Sequence, residues 1–134
     1  MLADQGYAIF RPGELEFMPP TKGDQTRGVM RLSGLLAASR AYVWRMPASS
    51  RGRRHRESTQ EEIFVALVGS LTLLLGEPPR DIELSSGAFA IVRPNTPVQL
   101  TNRGNADAIV LIVGAPATVG DAEYLRDAAQ LNTG

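Results

Sequence analysis

The chain has no cysteine, one lysine (Lys22), one histidine (His55) and only 6% aromatic residues. Without cysteine it forms no disulfide, no thiolate nucleophile and no Cys-based zinc site, so any metal must be held by nitrogen and oxygen ligands. No apolar run approaches the ~20 residues that span a bilayer, and the opening MLADQGYAIF has neither a basic start nor a long apolar stretch. These features predict a cytoplasmic protein with no membrane partner. Net charge is also missing: 14 basic residues offset 14 acidic ones, which removes the long-range field that nucleic-acid binders carry. Arg45, Arg51, Arg53, Arg54 and Arg56 do cluster. No aromatic residue alternates with them and Glu57, Glu61 and Glu62 follow at once, so they suit a solvated strand edge better than a phosphate track. No nucleic-acid partner is expected.

What is present is a chain of 134 residues, 43% apolar, long enough for one domain with a real core. Short apolar runs are punctuated by 13 glycines and 9 prolines, the pattern of an all-β sandwich or barrel. From Arg40 to Met46, Tyr42, Trp44 and Met46 share one face of a half-buried strand. Ile63 to Val68 and Leu71 to Leu75, joined at Gly69-Ser70, are too apolar for sheet edges and belong in central positions. Gly76 to Asp81, with two prolines that lack N–H groups, is a loop before Ile82 to Leu84. Further strands are predicted over Ala88 to Val92, Val98 to Thr101 and Ala108 to Val113. After Gly120 the texture changes: Asp121 suits an N-cap, and Ala122, Leu125, Ala128 and Ala129 keep helical spacing, which predicts one short C-terminal helix. The divisions are 1–39 for an N-terminal arm and first strands, 40–116 for the barrel core, and 117–134 for the helix and tail. The arm, broken by Pro12, Pro19 and Pro20, is expected to cover the barrel or a partner subunit.

The segment Arg51 to Gly69 carries the chemistry, in the frame His55-x-Glu57-x4-Glu62-x6-Gly69. Positions two apart on a strand share a face, so His55 and Glu57 point the same way, and a turn at Ser58 to Gln60 returns Glu62 to them. Glu61, of opposite parity, is expected in solvent. One imidazole and two carboxylates are a hard donor set suited to Fe(II), Mn(II), Ni(II), Zn(II) or Mg(II). The plain alternative is a histidine that bridges charges on a barrel wall. If Glu62 faces inward so does Phe64, and Tyr42 and Trp44 on a neighbouring strand line the same cavity.

These spacings resemble the cupin family of small β-barrels, with motifs G(x)5HxH(x)3–4E(x)6G and G(x)5PxG(x)2H(x)3N. His55, Glu57, Glu62 and Gly69 fall on the first frame, with Ser49 for its opening Gly. Gly87 and Asn102 fall on the second, with Arg93 for Pro, Asn95 for Gly and Val98 for the last His. The resemblance covers Arg40 to Gly114 and implies a cupin-type jelly-roll β-barrel, a homodimer, and a divalent metal at His55, Glu57 and Glu62 in a weakened site, since Val98 cannot ligate. It implies a small organic ligand in the barrel, contacted by Tyr42, Trp44, Arg53, Phe64, Val98 and Asn102. As an enzyme the protein would be a metal-dependent dioxygenase, isomerase or decarboxylase in which Glu57 or Glu62 moves a proton. A fainter likeness, Arg51-Gly52-Arg53-Arg54-His55 to the RGxHAH segment of nucleotide-sugar ketoisomerases with Asp121 to Asp127 similar to their tail, implies metal-free catalysis. His55 would then be the acid–base residue and Arg51 or Arg53 the diphosphate anchor.

Overall fold

In the computed structural model, which describes residues 5–117 and 122–131, ten strands form two five-stranded sheets. They are β1 (Gly28–Arg31), β2 (Arg40–Met46), β3 (His55–Glu57), β4 (Glu61–Val68), β5 (Leu71–Leu75), β6 (Arg80–Leu84), β7 (Phe89–Val92), β8 (Val98–Thr101), β9 (Ala108–Ala115) and β10 (Ala122–Tyr124). One sheet is ordered β1-β2-β9-β4-β7, the other β10-β3-β8-β5-β6. Every pairing is antiparallel. The apolar strands β4 and β5 have neighbours on both sides, as their composition predicts. β1 and β10 carry the two sheets beyond residues 40–116. Among the described residues no helix is long and apolar enough to cross a membrane.

Parity along the strands builds the interior rung by rung. Met46 pairs with Ala108, and Val110 with both Trp44 and Ala66. Next, Ile112 pairs with Tyr42 and Phe64, and then Gly114 with Arg40 and Glu62. The first rungs are apolar and merge with Leu71, Leu73, Leu84, Val92, Val98 and Leu100 into a single core. The last rungs turn polar, so the space between the sheets is filled at one end and lined with charge at the other. A Cβ at Gly114 would stand 2.4 Å from Gln60 Oε1, so a larger residue on that rung would displace the Gln60 side chain.

Gly69, at φ 73°, makes the β4–β5 turn, where a Cβ would meet the Asp107 carbonyl at 2.8 Å. Ser49 (φ 69°) and Asn95 (φ 67°), which replace motif glycines, keep the left-handed backbone those glycines would supply.

The predicted C-terminal helix is not formed among the described residues. Ala122–Tyr124 is instead strand β10, in register with β3 from Ala122↔Glu57 to Tyr124↔His55, followed by a 3₁₀ turn at Ala128–Gln130. The helical spacing loses to an open strand edge: β3 offers its backbone, Leu125 N–H donates to the Arg54 carbonyl at 2.8 Å, and Glu123 pairs with Arg56 at 2.8 Å. Asp121, the expected N-cap, lies outside the described residues. Asp127 caps the 3₁₀ turn instead, accepting from Ala129 N–H at 2.9 Å.

Candidate binding and metal site

The polar end of the interior is a cavity of about 480 Å³. Trp44, Phe64, Val98, Leu100 and Ile112 form its apolar wall, joined by Tyr42 and the more exposed Tyr124. His55 and Glu57 enter from β3, Glu62 from β4 in the opposite sheet, so the three meet across the barrel and not along one hairpin. One ligand atom from each lies within 4.8 Å of the others. Glu62 is 7% exposed while Glu61 faces solvent, so strand parity selects the inward carboxylate as expected.

His55 Nε2 stands 3.6 Å from Glu62 Oε1, and its Nδ1 lies 3.4 Å from the Arg53 carbonyl. Burial works against the imidazolium, but the Glu62 carboxylate, the Arg53 carbonyl and the Glu57 charge outweigh it and raise the His55 pKa above its ordinary value. One nitrogen and two carboxylate oxygens at this spacing fit a divalent cation with solvent or ligand completing its shell. Val98 sits in register with His55 on β8, 1% exposed, so the fourth motif position is occupied by an isopropyl group packed into the core.

Tyr42, Trp44, Arg53, Phe64 and Val98 all line the cavity. Asn102 does not. β8 ends at Thr101, and the buried Asn102 amide donates to the Met46 and Ala106 carbonyls at 2.8 Å each while its oxygen accepts from Gly104 N–H at 2.9 Å. Its backbone also bonds Ser49 N–H and the Ser50 carbonyl at 2.8 and 3.0 Å, so the end of the second motif ties down the start of the first. Arg51 points away from the cavity to Asp127, at 3.0 Å, which leaves Arg53 as the arginine of this pair that lines the cavity.

Sequence reasoning missed several lining residues. Gln60, buried beside Glu62, donates to the Pro116 carbonyl at 2.9 Å. Ile112 was findable from its parity with Val110. Tyr124 was hidden by the helical reading of its segment. The N-terminal loop supplies Lys22 and Arg27, and β1 and β2 supply Arg31 and Arg40. Arg27 is buried, its guanidinium 4.4 Å above the Trp44 ring and donating to the Asp24 and Lys22 carbonyls at 3.0 and 3.2 Å. The last part of the arm, from Pro20 to Arg27, therefore lies against its own barrel, whereas Tyr7, Ile9, Phe10 and Met18 before it are exposed.

Two antiparallel sheets enclosing a ligand-sized cavity, with an inward His and two inward Glu at its wall, define a jelly-roll barrel of the double-stranded β-helix type. The cupin domain family matches residues 42–114, and the chain belongs to that family. No curated protein sequence matches the chain. Among solved structures it is similar to an uncharacterized double-stranded β-helix protein from Klebsiella pneumoniae (20% identity, 90% of this chain and 99% of that one, TM-score 0.71). It is also similar to a cupin sugar phosphate isomerase from Silicibacter pomeroyi (20% identity, 75% and 76% covered, TM-score 0.63). A third is the polyketide cyclase RemF from Streptomyces resistomycificus (13% identity, 90% and 87% covered, TM-score 0.76). At these identities the likeness is one of fold.

Proposed function

We propose that this cupin is a cytoplasmic protein that binds one small organic ligand in its barrel, with His55, Glu57 and Glu62 at the polar wall. The observation that carries the reading is the cavity of about 480 Å³, within the size range of small-molecule sites, whose apolar wall is interrupted by three convergent donor groups. The triad would hold a divalent ion such as Fe, Mn, Ni or Zn more weakly than a four-ligand site, because Val98 contributes nothing. Such an ion would polarise a ligand oxygen. Imidazole ligates only when neutral, and the Glu62 partner favours its proton, so metal affinity should rise with pH.

His55 is also placed to act as an acid–base group without metal, with Glu62 stabilising its protonated form and Arg53 two residues away on the same face. The sugar phosphate isomerase among the similar folds makes isomerisation of a phosphorylated sugar the reaction to try first. The outer face of the β1-β2-β9-β4-β7 sheet supports a homodimer: Val113, Ile63 and Ile91 form one cross-strand row, Leu111, Val65 and Phe89 the next. Ile91 and Phe89 are 66% and 65% exposed.

Elemental analysis followed by Mn(II), Fe(II), Ni(II) and Zn(II) titration tests the metal. Wild type should bind and His55→Ala and Glu62→Ala should lose most of the affinity; equally poor binding by all three removes the ion. A thermal-shift screen of nucleotide sugars and sugar phosphates tests the ligand, since a bound molecule raises stability by mass action. Absence of any shift, with no metal bound, would sink the reading.

A further inference from the structure

We infer that the mouth of the cavity is an oxyanion subsite, in which Arg27 and Arg53 receive the carboxylate or phosphate end of an organic ligand whose other end reaches His55 and Glu62. The inference rests on the cavity being a ligand site, and names the class of ligand it takes.

The distribution of charge is the first ground. The chain is neutral as a whole, yet the cavity is lined by Lys22, Arg27, Arg31, Arg40 and Arg53 against two carboxylates, Glu57 and Glu62. Both carboxylates are buried, Glu57 and Glu62 at 8% and 7% exposed, as is Arg27 at 7%, whereas Lys22, Arg31 and Arg53 are open to solvent. A neutral ligand would leave this excess of positive charge unmatched. An elongated molecule with one anionic end matches it: the anion at the rim, a hydroxyl or carbonyl at the histidine.

Pre-organisation of the two guanidinium groups is the second ground. Arg27 is fixed by Trp44 beneath it and by the two loop carbonyls of Asp24 and Lys22. The Arg53 guanidinium carbon stands over Tyr124, 3.5 Å from the ring centre. Tyr124 in turn lies beside His55, with ring centroids 6.1 Å apart, so the anchor and the acid–base group share one aromatic neighbour. Arg27 and Arg53 both press on Gly23: a Cβ there would come 2.7 Å from Arg27 Nη2 and 3.2 Å from Arg53 Cγ. Both side chains are thus held at Gly23 by aromatic neighbours, and the buried Arg27 guanidinium has already met much of its desolvation cost.

The third ground is the lack of a carboxylate to neutralise them. Among the described residues, no Asp or Glu oxygen lies within the 4.0 Å of an ion pair from Arg27 or Arg53. Asp24, on the same loop, spends its oxygens on Thr26 N–H at 3.0 Å, the Thr26 hydroxyl at 2.6 Å and Arg51 N–H at 3.0 Å. Burial lowers the pKa of Arg27, the nearby Asp24 charge opposes this and Arg53 adds to it, so Asp24 offsets the pair only from a distance and leaves it without an ion-paired counter-charge. An oxyanion between the two guanidinium groups supplies it.

The experiment uses isothermal titration of the full chain with inorganic phosphate, acetate, glucose 6-phosphate, gluconate and glucose at low and high salt. Binding of one oxyanion class, weakened by salt, is the expected result, and the phosphate and carboxylate arms decide which end group it is. Arg53→Gln, at an exposed position, should weaken that probe about tenfold or more, as for loss of a charge-assisted hydrogen bond. Arg27→Gln should do the same, with circular dichroism checking its fold, and Arg80→Gln on exposed β6 should change nothing. Oxyanion binding unchanged in both Arg27→Gln and Arg53→Gln overturns the inference. So does glucose or Mn(II) binding to a wild type that ignores every anion, an outcome that leaves the cavity reading intact. The reverse result, Arg53-dependent phosphate binding that His55→Ala retains while no organic ligand or metal binds, upholds the anion site and removes the cavity reading.

Discussion

At the scale of single residues, two positions separate what the motif does for the backbone from what it does for chemistry. Ser49 and Asn95 stand where the cupin motifs carry glycine, and both hold φ near the left-handed region, at 69° and 67°. Asn tolerates that conformation better than Ser, whose Cβ costs about 1 kcal/mol there. Ser49→Gly should therefore stabilise the protein by about 1 kcal/mol, roughly 3–4 °C in thermal midpoint, measurable by calorimetry. An unchanged or lower midpoint would mean that the Ser49 side chain earns its place elsewhere. His55 gives the pH-dependent counterpart. Its folded-state pKa is raised above 6.5, so in the metal-free protein its contribution to stability is complete below that value and is lost as pH rises through the folded pKa. Replacing Glu62 by Gln removes the main charge favouring the imidazolium and should lower the His55 pKa, as followed by the imidazole proton shifts in NMR; an unmoved titration would show that the 3.6 Å pair is not coupled.

At the scale of elements, strand parity made most of the site legible. Counting alternate residues put Tyr42, Trp44 and Phe64 on one inward face and His55 with Glu57 on another, while the cupin motif frames selected Glu62 over Glu61 and picked out Val98; all seven line the cavity. What counting could not reach were groups whose position depends on a distant partner. Tyr124 faces the cavity only because β10 adds to the edge of β3, an event invisible in a segment with helical spacing. Arg27 lies in a polar loop and acquires its role from Trp44. Asn102 shares the parity of Val98 but falls past the end of β8, where parity no longer applies. The same dependence makes Gln99 a sensitive point. Buried on the outer face of β8, its amide donates to the Gly52 carbonyl at 3.0 Å and Asp127 at 2.9 Å, and its oxygen accepts from Ala128 N–H at 3.0 Å. Gln99→Leu leaves these groups with fewer partners, at a cost of about 1–3 kcal/mol. Hydrogen exchange should speed up at Leu125 and Ala128 before the central strands; uniform acceleration would argue against a local tether.

At the scale of the whole molecule, the apolar rows on the outer face of the β1-β2-β9-β4-β7 sheet are a feature a monomer leaves unexplained. Ile91→Lys or Phe89→Glu should convert a dimer to a monomer in light scattering while leaving the cavity, on the other face, able to bind its ligand. A wild type that is already monomeric would dispose of the dimer. The order of that sheet also governs how the chain can be assembled. β9 lies between β2 and β4 and bonds to both, yet follows each of them in sequence, with four strands (β5 to β8) intervening after β4 and six after β2. On the ribosome, β2 and β4 emerge with their inner edges bare, and neither can acquire its shared partner until residue 115 has left the exit tunnel. During that interval each exposed edge can accept a strand from a neighbouring nascent chain, so crowded synthesis, more than heat, is the condition under which this barrel should misassemble.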